Sequence, residues 1–230
     1  MRVATIILAA GSSTRLGEPK QLLYQNGTTL VRRMTDIALS LRAGPVVVVL
    51  GANQEKIEPE LVGLPVIMPV NTGWGEGLAS SLRVGLAALP NEPIDAFLIL
   101  LTDQPHVTAD LLRQLINAAQ ETGQGIVASR YSTGRYDVVR HSGAGGAGTT
   151  WSGIPERAVR PAEPVHLGVP ALFSIRYKTE FMAFTGDVGA RKLIRQYPDD
   201  CIEVAFPLGA VDLDTPQDVE QWQRTVNSQQ

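Results

Sequence analysis

"LAAGSSTRLGEPKQLL", residues 8–23, follows the apolar run Val3-Ala4-Thr5-Ile6-Ile7. A short run of β-forming aliphatics reads as a strand buried on both faces. The chain then turns small, polar and basic. Gly11 permits a turn that residues with a Cβ resist. Small neighbours let backbone N–H groups face a ligand, and successive N–H groups in such a turn form an anion-binding nest. Arg15 and Lys20 add full positive charges to those partial ones. The expected chemistry is polyphosphate binding. Leu8, Ala9, Ala10, Gly11, Ser12 and Ser13 would line the polyphosphate-bearing ligand, with Arg15 and Lys20 on its phosphates. A Walker loop is excluded, because the lysine lies nine residues after Gly11 and is followed by Gln21. The dinucleotide G-x-G-x-x-G spacing also fails.

Outward from this stretch, aliphatic runs alternate with helical periodicity. Val46–Leu50, Val66–Val70 and Ala96–Leu101 read as strands, and Gly125–Ala128 begins another. Thr28/Thr29 is placed to cap a helix carrying Leu30, Met34, Ile37, Ala38 and Leu41. Gly77–Leu89 reads as a helix, and Thr108 can cap the next one. This order predicts an α/β chain, a Rossmann-like three-layer α/β/α fold with a mostly parallel mixed sheet. Ligands in such sheets sit at the carboxyl ends of the strands. The loops AAGSSTRLG, NTGWGEG and TDQP should gather there.

The 230 residues fit one domain, 1–230, and 44% apolar content supplies a core. The pattern weakens at about 131–165, which is Gly-rich and then Pro- and charge-rich; an inserted flexible flap is expected there. Net charge is −3, so no basic field points to nucleic acid. No apolar run is long enough for a membrane span, and the N-terminal run is short for a signal peptide, so a cytoplasmic chain is expected. Cys201 is the only cysteine, which excludes an intrachain disulfide and a cysteine-rich zinc site; it is expected to be a small buried hydrophobe.

Asp103 ends a strand of hydrophobes at the ligand rim. Mg²⁺ is a hard ion that takes one or two carboxylates plus phosphate and water oxygens, and Asp103 suits that role. Asp212-Leu213-Asp214 on an extended segment projects both carboxylates to one side. Gly77 opens a helix whose N–H groups can face a ligand. Asp187 and Arg191 have i,i+4 spacing on an expected helix, and Arg forks suit phosphate.

"AAGSSTRLGEPKQLL" resembles the signature of nucleotidyltransferases of the molybdenum cofactor type, and the resemblance runs over nearly the whole chain. "GEGLASSLRVGL" (75–86), "LTDQP" (101–105), "GVPALF" (168–173), "GDVGAR" (186–191) and "DLDTPQD" (212–218) look like further family segments, in order. The resemblance implies transfer of a nucleoside monophosphate from an NTP to molybdopterin, releasing pyrophosphate. It implies Asp103 and Asp214 as ligands of Mg²⁺ or Mn²⁺, and Lys20, Arg15, Asp103 and Asp214 as the catalytic set. It implies Gly77, Ser80 and Ser81 beside the base or ribose, and Gly168, Pro170, Asp187 and Arg191 around the acceptor. Gln217, where the family often has Glu, would take the capping-box position. Ala10 stands where guanylyl-transferring relatives typically carry a second glycine, which favours CTP over GTP. The expected partners are CTP (or GTP), molybdopterin and a molybdoenzyme receiving the product, without nucleic acid or membrane.

An ionised acceptor phosphate needs no general base, and none of His106, His141 and His166 is assigned one. Competing readings are a guanylyltransferase of the same family, a sugar-phosphate or methylerythritol-phosphate nucleotidyltransferase, and a non-catalytic nucleotide-binding chaperone that inserts the finished cofactor.

Overall fold

The computed structural model describes residues 1–132 and 165–227, and the expected flap at 131–165 lies almost wholly outside them. Among the described residues, β1 (Val3–Leu8), β4 (Val46–Val49), β5 (Ala96–Leu101), β6 (Ile126–Ser132), β7 (Val165–Ser174) and β8 (Cys201–Ala205) form one sheet ordered β4-β1-β5-β7-β6-β8. β1 pairs in parallel with β4 and β5, and β6 with β8. Only β7 runs antiparallel, to β5 and β6. The sheet is therefore mostly parallel and mixed, as expected.

The period of two along each strand divides the core. Val3, Ile7, Val46, Val48, Leu98 and Leu100 face one way, onto α1 (Leu30–Ser40) and α4 (Ala109–Thr122). Ala4, Ile6, Leu8, Val47, Val49, Phe97 and Ile99 face the other, onto α3 (Leu78–Ala87), α5 (Lys178–Met182) and α6 (Arg191–Gln196). Three layers result. A smaller cluster of Leu23, Leu30, Leu213, Val219 and Trp222 fastens α7 (Pro216–Asn227) beside the start of α1.

Local chemistry accounts for several differences from the expected elements. Val66–Val70 is not a strand of its own. It touches β4 only through the bridges Val47↔Ile67 and Leu50↔Val70, since Pro65 and Pro69 lack ladder donors. A short α2 (Gln54–Ile57) precedes it. Thr28–Thr29 forms β3, paired with β2 (Tyr24–Gln25) across Asn26-Gly27. Both turn residues have positive φ, 52° and 78°, as a two-residue hairpin requires. Thr29 still precedes α1, but its hydroxyl donates to Glu60 (2.9 Å) and makes no cap bond. Thr108 does cap α4, accepting from the Leu111 N–H at 3.2 Å. The 77–89 helix is shorter than expected, Leu78–Ala87, with Gly77 as its N-cap. Cys201 is half-buried rather than buried, on edge strand β8. Among the described residues no helix is long and apolar enough to cross a membrane.

Candidate functional site

The carboxyl ends of β1, β4, β5 and β6 define one rim, and antiparallel β7 delivers its opposite end there. After β1 the chain wraps around a buried amide. The Gln21 Nε2 donates to the carbonyls of Ala9 (3.0 Å) and Gly11 (2.9 Å). Ser13, at φ 53°, accepts from the Lys20 N–H (3.1 Å) and donates to Gln21 Oε1 (3.4 Å). The loop's carbonyls thus turn inward. Among the described residues, the N–H groups of Gly11, Ser12 and Ser13 meet no acceptor, which is the property of an anion nest.

Lys20 opens a single 3-10 turn, Lys20–Leu22. Its ammonium forms an ion pair with Asp103 Oδ2 and donates to Asp214 Oδ1 at 3.1 Å. Arg15 reaches Asp214 Oδ2 at 3.3 Å. The four residues assigned a catalytic role are therefore brought together. Burial opposes the Lys20 charge, but Asp103 and then Asp214 outweigh it and hold the ammonium above its ordinary pKa. Asp103 is 8% exposed, and its Oδ1 is buried with no hydrogen-bond partner among the described residues. An orphaned carboxylate oxygen is an acceptor that a hard cation satisfies. Among the described residues no three His, Cys, Asp or Glu side chains could enclose a metal alone. Mg²⁺ or Mn²⁺ held by two carboxylates, phosphate oxygens and water needs no such enclosure.

The 212–214 segment is tied to the β5 loop by the Leu213 N–H, which donates to the Asp103 carbonyl at 3.3 Å. Leu213 is fully buried between the two aspartates, in agreement with the alternation. Asp212 is a third carboxylate of the cluster. Its surface is exposed, yet desolvation by the surrounding protein, then the charges of Asp103 and Asp214, push it up to about 7, against Lys20 and Arg191. The α7 cap differs from expectation. Asp218, not Gln217, pairs with Thr215, accepting from its N–H (2.8 Å) and hydroxyl (2.7 Å). Gln217 is one position too early for the N3 site of a capping box whose N-cap is Thr215.

Other expected residues are arranged differently. Ala10 is 4% exposed, and its methyl stands 2.7 Å from where a Cβ on Gly51 would lie. Ser80 and Ser81 are buried around Asn71, whose amide donates to both hydroxyls at 2.8 and 3.0 Å. Ser80 also donates to the Gly77 carbonyl at 2.8 Å, so these serines shape the 71–77 loop from beneath. Gly77, at φ 105°, packs where a Cβ would meet the Gly186 carbonyl carbon at 2.5 Å. Asp187 is not one helical turn from Arg191. Gly186, at φ 66°, interrupts the chain and α6 starts only at Arg191. Asp187 Oδ1 instead accepts from the Leu78 N–H at 3.4 Å, at the start of α3. Gly168 and Pro170 lie on β7, and the Gln104 amide donates to the Val169 carbonyl between them at 3.0 Å. His106 is held below its ordinary pKa by burial and by the Arg33 charge. His141 lies outside the described residues. Gln21, Asn71 and Gln104 were missed; Asn71 and Gln104 follow aliphatic runs within a few residues, whereas the burial of Gln21 is set by its contacts with the Ala9 and Gly11 carbonyls.

A model of the MobA-like NTP transferase domain matches residues 5–201. The chain belongs to that family. The MobA-like assignment agrees with the family resemblance of the sequence. A molybdenum cofactor guanylyltransferase of Rhodobacter capsulatus is 30% identical over 60% of this chain and 70% of its own length. A nicotine blue oxidoreductase of Paenarthrobacter nicotinovorans is 29% identical over 96% of this chain and 95% of its own. Among solved structures, Rv0371c from Mycobacterium tuberculosis H37Rv superposes with a TM-score of 0.72 at 25% identity, covering 97% of this chain and 98% of that one. The fold of that structure is thus matched over nearly the whole chain, and the family model over residues 5–201.

Proposed function

We propose that the chain transfers CMP from CTP to the phosphate of molybdopterin and releases pyrophosphate, with Mg²⁺ or Mn²⁺ as the metal. The observation that carries this reading is the Lys20 ammonium between Asp103 and Asp214, next to a loop with free N–H groups. An ionised acceptor oxygen attacks the α-phosphorus, a P–O bond forms, and the bond to the β-phosphate breaks with its electrons leaving on pyrophosphate. Such transfers depend on positioning and charge neutralisation more than on covalent chemistry. Two unit charges at ~4 Å repel by about 4 kcal/mol at an effective dielectric of 20. Lys20, Arg15 and the Gly11–Ser13 amides oppose that repulsion. Asp103 and Asp214 would hold the metal, which when bound neutralises charge on the α-phosphate and the leaving group. Gly168, Pro170 and Arg191 border the acceptor in this reading, and Gly77 the nucleotide.

CTP is assigned ahead of GTP on Ala10 alone. Because its methyl faces Gly51, it acts on the base through the spacing of two loops rather than by contact. Names among the relatives favour guanylyl transfer, so the base is measured directly. The decisive experiment is thermal unfolding with each of the four NTPs, with and without Mg²⁺, followed by pyrophosphate release with molybdopterin. At ~100-fold excess over Kd a ligand adds about 2.7 kcal/mol, or roughly 5–10 °C at this size. A Mg²⁺-dependent shift with CTP and release of pyrophosphate support the proposal. A shift with GTP instead replaces CMP by GMP. A shift without turnover favours the nucleotide-binding chaperone. The reaction is assigned to the cytoplasm, where NTPs are available.

One observation favours a second reading: the full-length similarity to a protein named as an oxidoreductase. The absence of G-x-G-x-x-G and the presence of the Lys20 cluster weigh against it. Oxidation of NADH or NADPH by the purified chain coupled to reduction of nicotine blue, without any NTP effect, would replace nucleotidyl transfer with it.

A further inference from the structure

We infer that Tyr131 is the positioning residue that holds Arg191 ready for an acceptor phosphate, an inference resting on the proposed acceptor role of Arg191. Three elements meet here. Tyr131 lies one residue before the end of β6, Gly168 sits on β7, and Arg191 is the first residue of α6. Tyr131 is 5% exposed, whereas Arg191 is exposed. The Arg191 Nη2 donates to the Tyr131 hydroxyl at 2.7 Å, and its Cζ lies 5.9 Å from the centre of the Tyr131 ring. An exposed arginine ordinarily samples many rotamers. Here a buried phenol fixes one end of the guanidinium by a charge-assisted bond and a cation–π contact.

The backbone around the pair makes room for it. A Cβ on Gly168 would collide with the Tyr131 hydroxyl and stand 3.3 Å from Arg191 Nε. A Cβ on Gly209 would stand 2.8 Å from the Tyr131 ring. Gly209 belongs to the turn Pro207–Ala210 that leads into Asp212–Asp214. The ring is therefore set between β7 and the turn before the carboxylate cluster. Among the described residues Arg191 has no carboxylate within ion-pair distance, so its remaining donors stay available to an anion. Asp212 feels the Arg191 charge from beyond ion-pair distance, and a fixed guanidinium fork matches a phosphate monoester better than a free one, because less rotamer freedom is lost on binding.

The test uses the whole chain with ¹⁵N-labelled arginine and inorganic phosphate as the probe, reading the Arg191 Nε–H resonance. Tyr131→Phe removes one oxygen and keeps the ring. Gly209→Ala, at a position not assigned to the acceptor, presses on the Tyr131 ring from the turn Pro207–Ala210. Both variants should bind phosphate at Arg191 about tenfold more weakly, the scale of one charge-assisted hydrogen bond. Their thermal shifts with NTP should match the wild type. Equal phosphate affinity in wild type and both variants would overturn the role of Tyr131 while leaving Arg191 as a phosphate site. No response of Arg191 to phosphate in the wild type would overturn the inference and remove Arg191 from the acceptor assignment. Absence of pyrophosphate release with molybdopterin, beside an intact phosphate result, would reject nucleotidyl transfer to that acceptor and leave the Tyr131–Arg191 pair standing.

Discussion

Lys20 and Asp103 are 83 residues apart in the chain, yet the lysine ammonium is seated on the aspartate's Oδ2. The same ammonium reaches Asp214 from 194 residues away. One cation therefore joins the loop after β1, the end of β5 and the approach to α7. In the metal-free protein it is the counter-charge that lets two carboxylates share a rim.

That arrangement predicts the behaviour of Lys20→Ala. Removing one partner of a partly buried ion pair leaves an uncompensated charge, here at a cost of about 2–3 kcal/mol or roughly 5–10 °C of Tm. Mg²⁺ should then stabilise the variant more than it stabilises the wild type, since the ion replaces the missing cation. Differential scanning calorimetry with and without Mg²⁺ reads both effects. Equal metal shifts in the two proteins would separate Lys20 from the metal site.

Asp103→Asn keeps the shape and removes the charge. It should abolish the Mg²⁺-dependent part of the nucleotide thermal shift and lower turnover by ~10²–10³-fold, the range for losing one electrostatic stabiliser. The metal-free variant should fold, because an amide can still accept from Lys20. Normal metal-dependent turnover in this variant would remove Asp103 from the metal site.

How much of this could be read from the chain alone follows from the range of the interactions. β1, β4 and β5 are continuous aliphatic runs that demand burial on both faces, so their residues identify them locally. Asp103 stood out because it lies just past β5, whereas Lys20 was singled out by the small, basic composition of the loop well beyond β1. β7 was not, since Gly168 and Pro170 interrupt its strand pattern and its pairing with β5 spans some 70 residues of chain. The β2–β3 hairpin was obscured because Thr28 and Thr29 also satisfy a helix-cap pattern, although Asn26-Gly27 marks the turn locally and the Thr29 hydroxyl is taken by Glu60. The spacing of Asp187 and Arg191 suggested a helix; the positive φ of Gly186 and the bond from Leu78 to Asp187 are tertiary facts with no local signature.

Ala10→Gly tests the base assignment. Ala10 and Gly51 are in contact across two loops, so removing the methyl lets them approach. The ratio of kcat/KM for GTP to that for CTP should rise. A methyl in direct contact with a substrate discriminates by about 10–200-fold, so an effect passed through loop spacing should be smaller. An unaltered ratio would move base selection elsewhere on the rim.

Asp200 predicts a pH effect away from the site. Its Oδ2 accepts from Tyr177 and Arg176, and its Oδ1 from the Gly125 N–H at 3.0 Å. Burial works against the charge, but the Tyr177 and Arg176 bonds prevail and hold the carboxyl below its ordinary value. A folded pKa below the unfolded one means stabilisation that is complete above the unfolded value, ~3.9, and is lost as pH falls through the folded one. The Tm gap between wild type and Asp200→Asn should be constant from about pH 5 to 8 and close below about pH 4. A gap that persists in acid would refute the charge as its source.

Gln21 supplies the sharpest test of the opening loop. Its amide is the shared donor for the Ala9 and Gly11 carbonyls, and the residue is 1% exposed. Gln21→Met keeps length and burial but leaves both carbonyls without that donor, at a cost of about 1–3 kcal/mol. Gln21→Glu adds a buried negative charge facing two carbonyl oxygens and should be worse. If the inward carbonyls are what turn the Gly11–Ser13 N–H groups outward, both variants lose NTP affinity by more than their loss of stability explains. Titration calorimetry at a temperature where each variant is fully folded separates the two effects. Unchanged NTP affinity in folded Gln21→Met would mean that the loop keeps its shape without the amide, and that the nest is set by Gly11 and Ser13 alone.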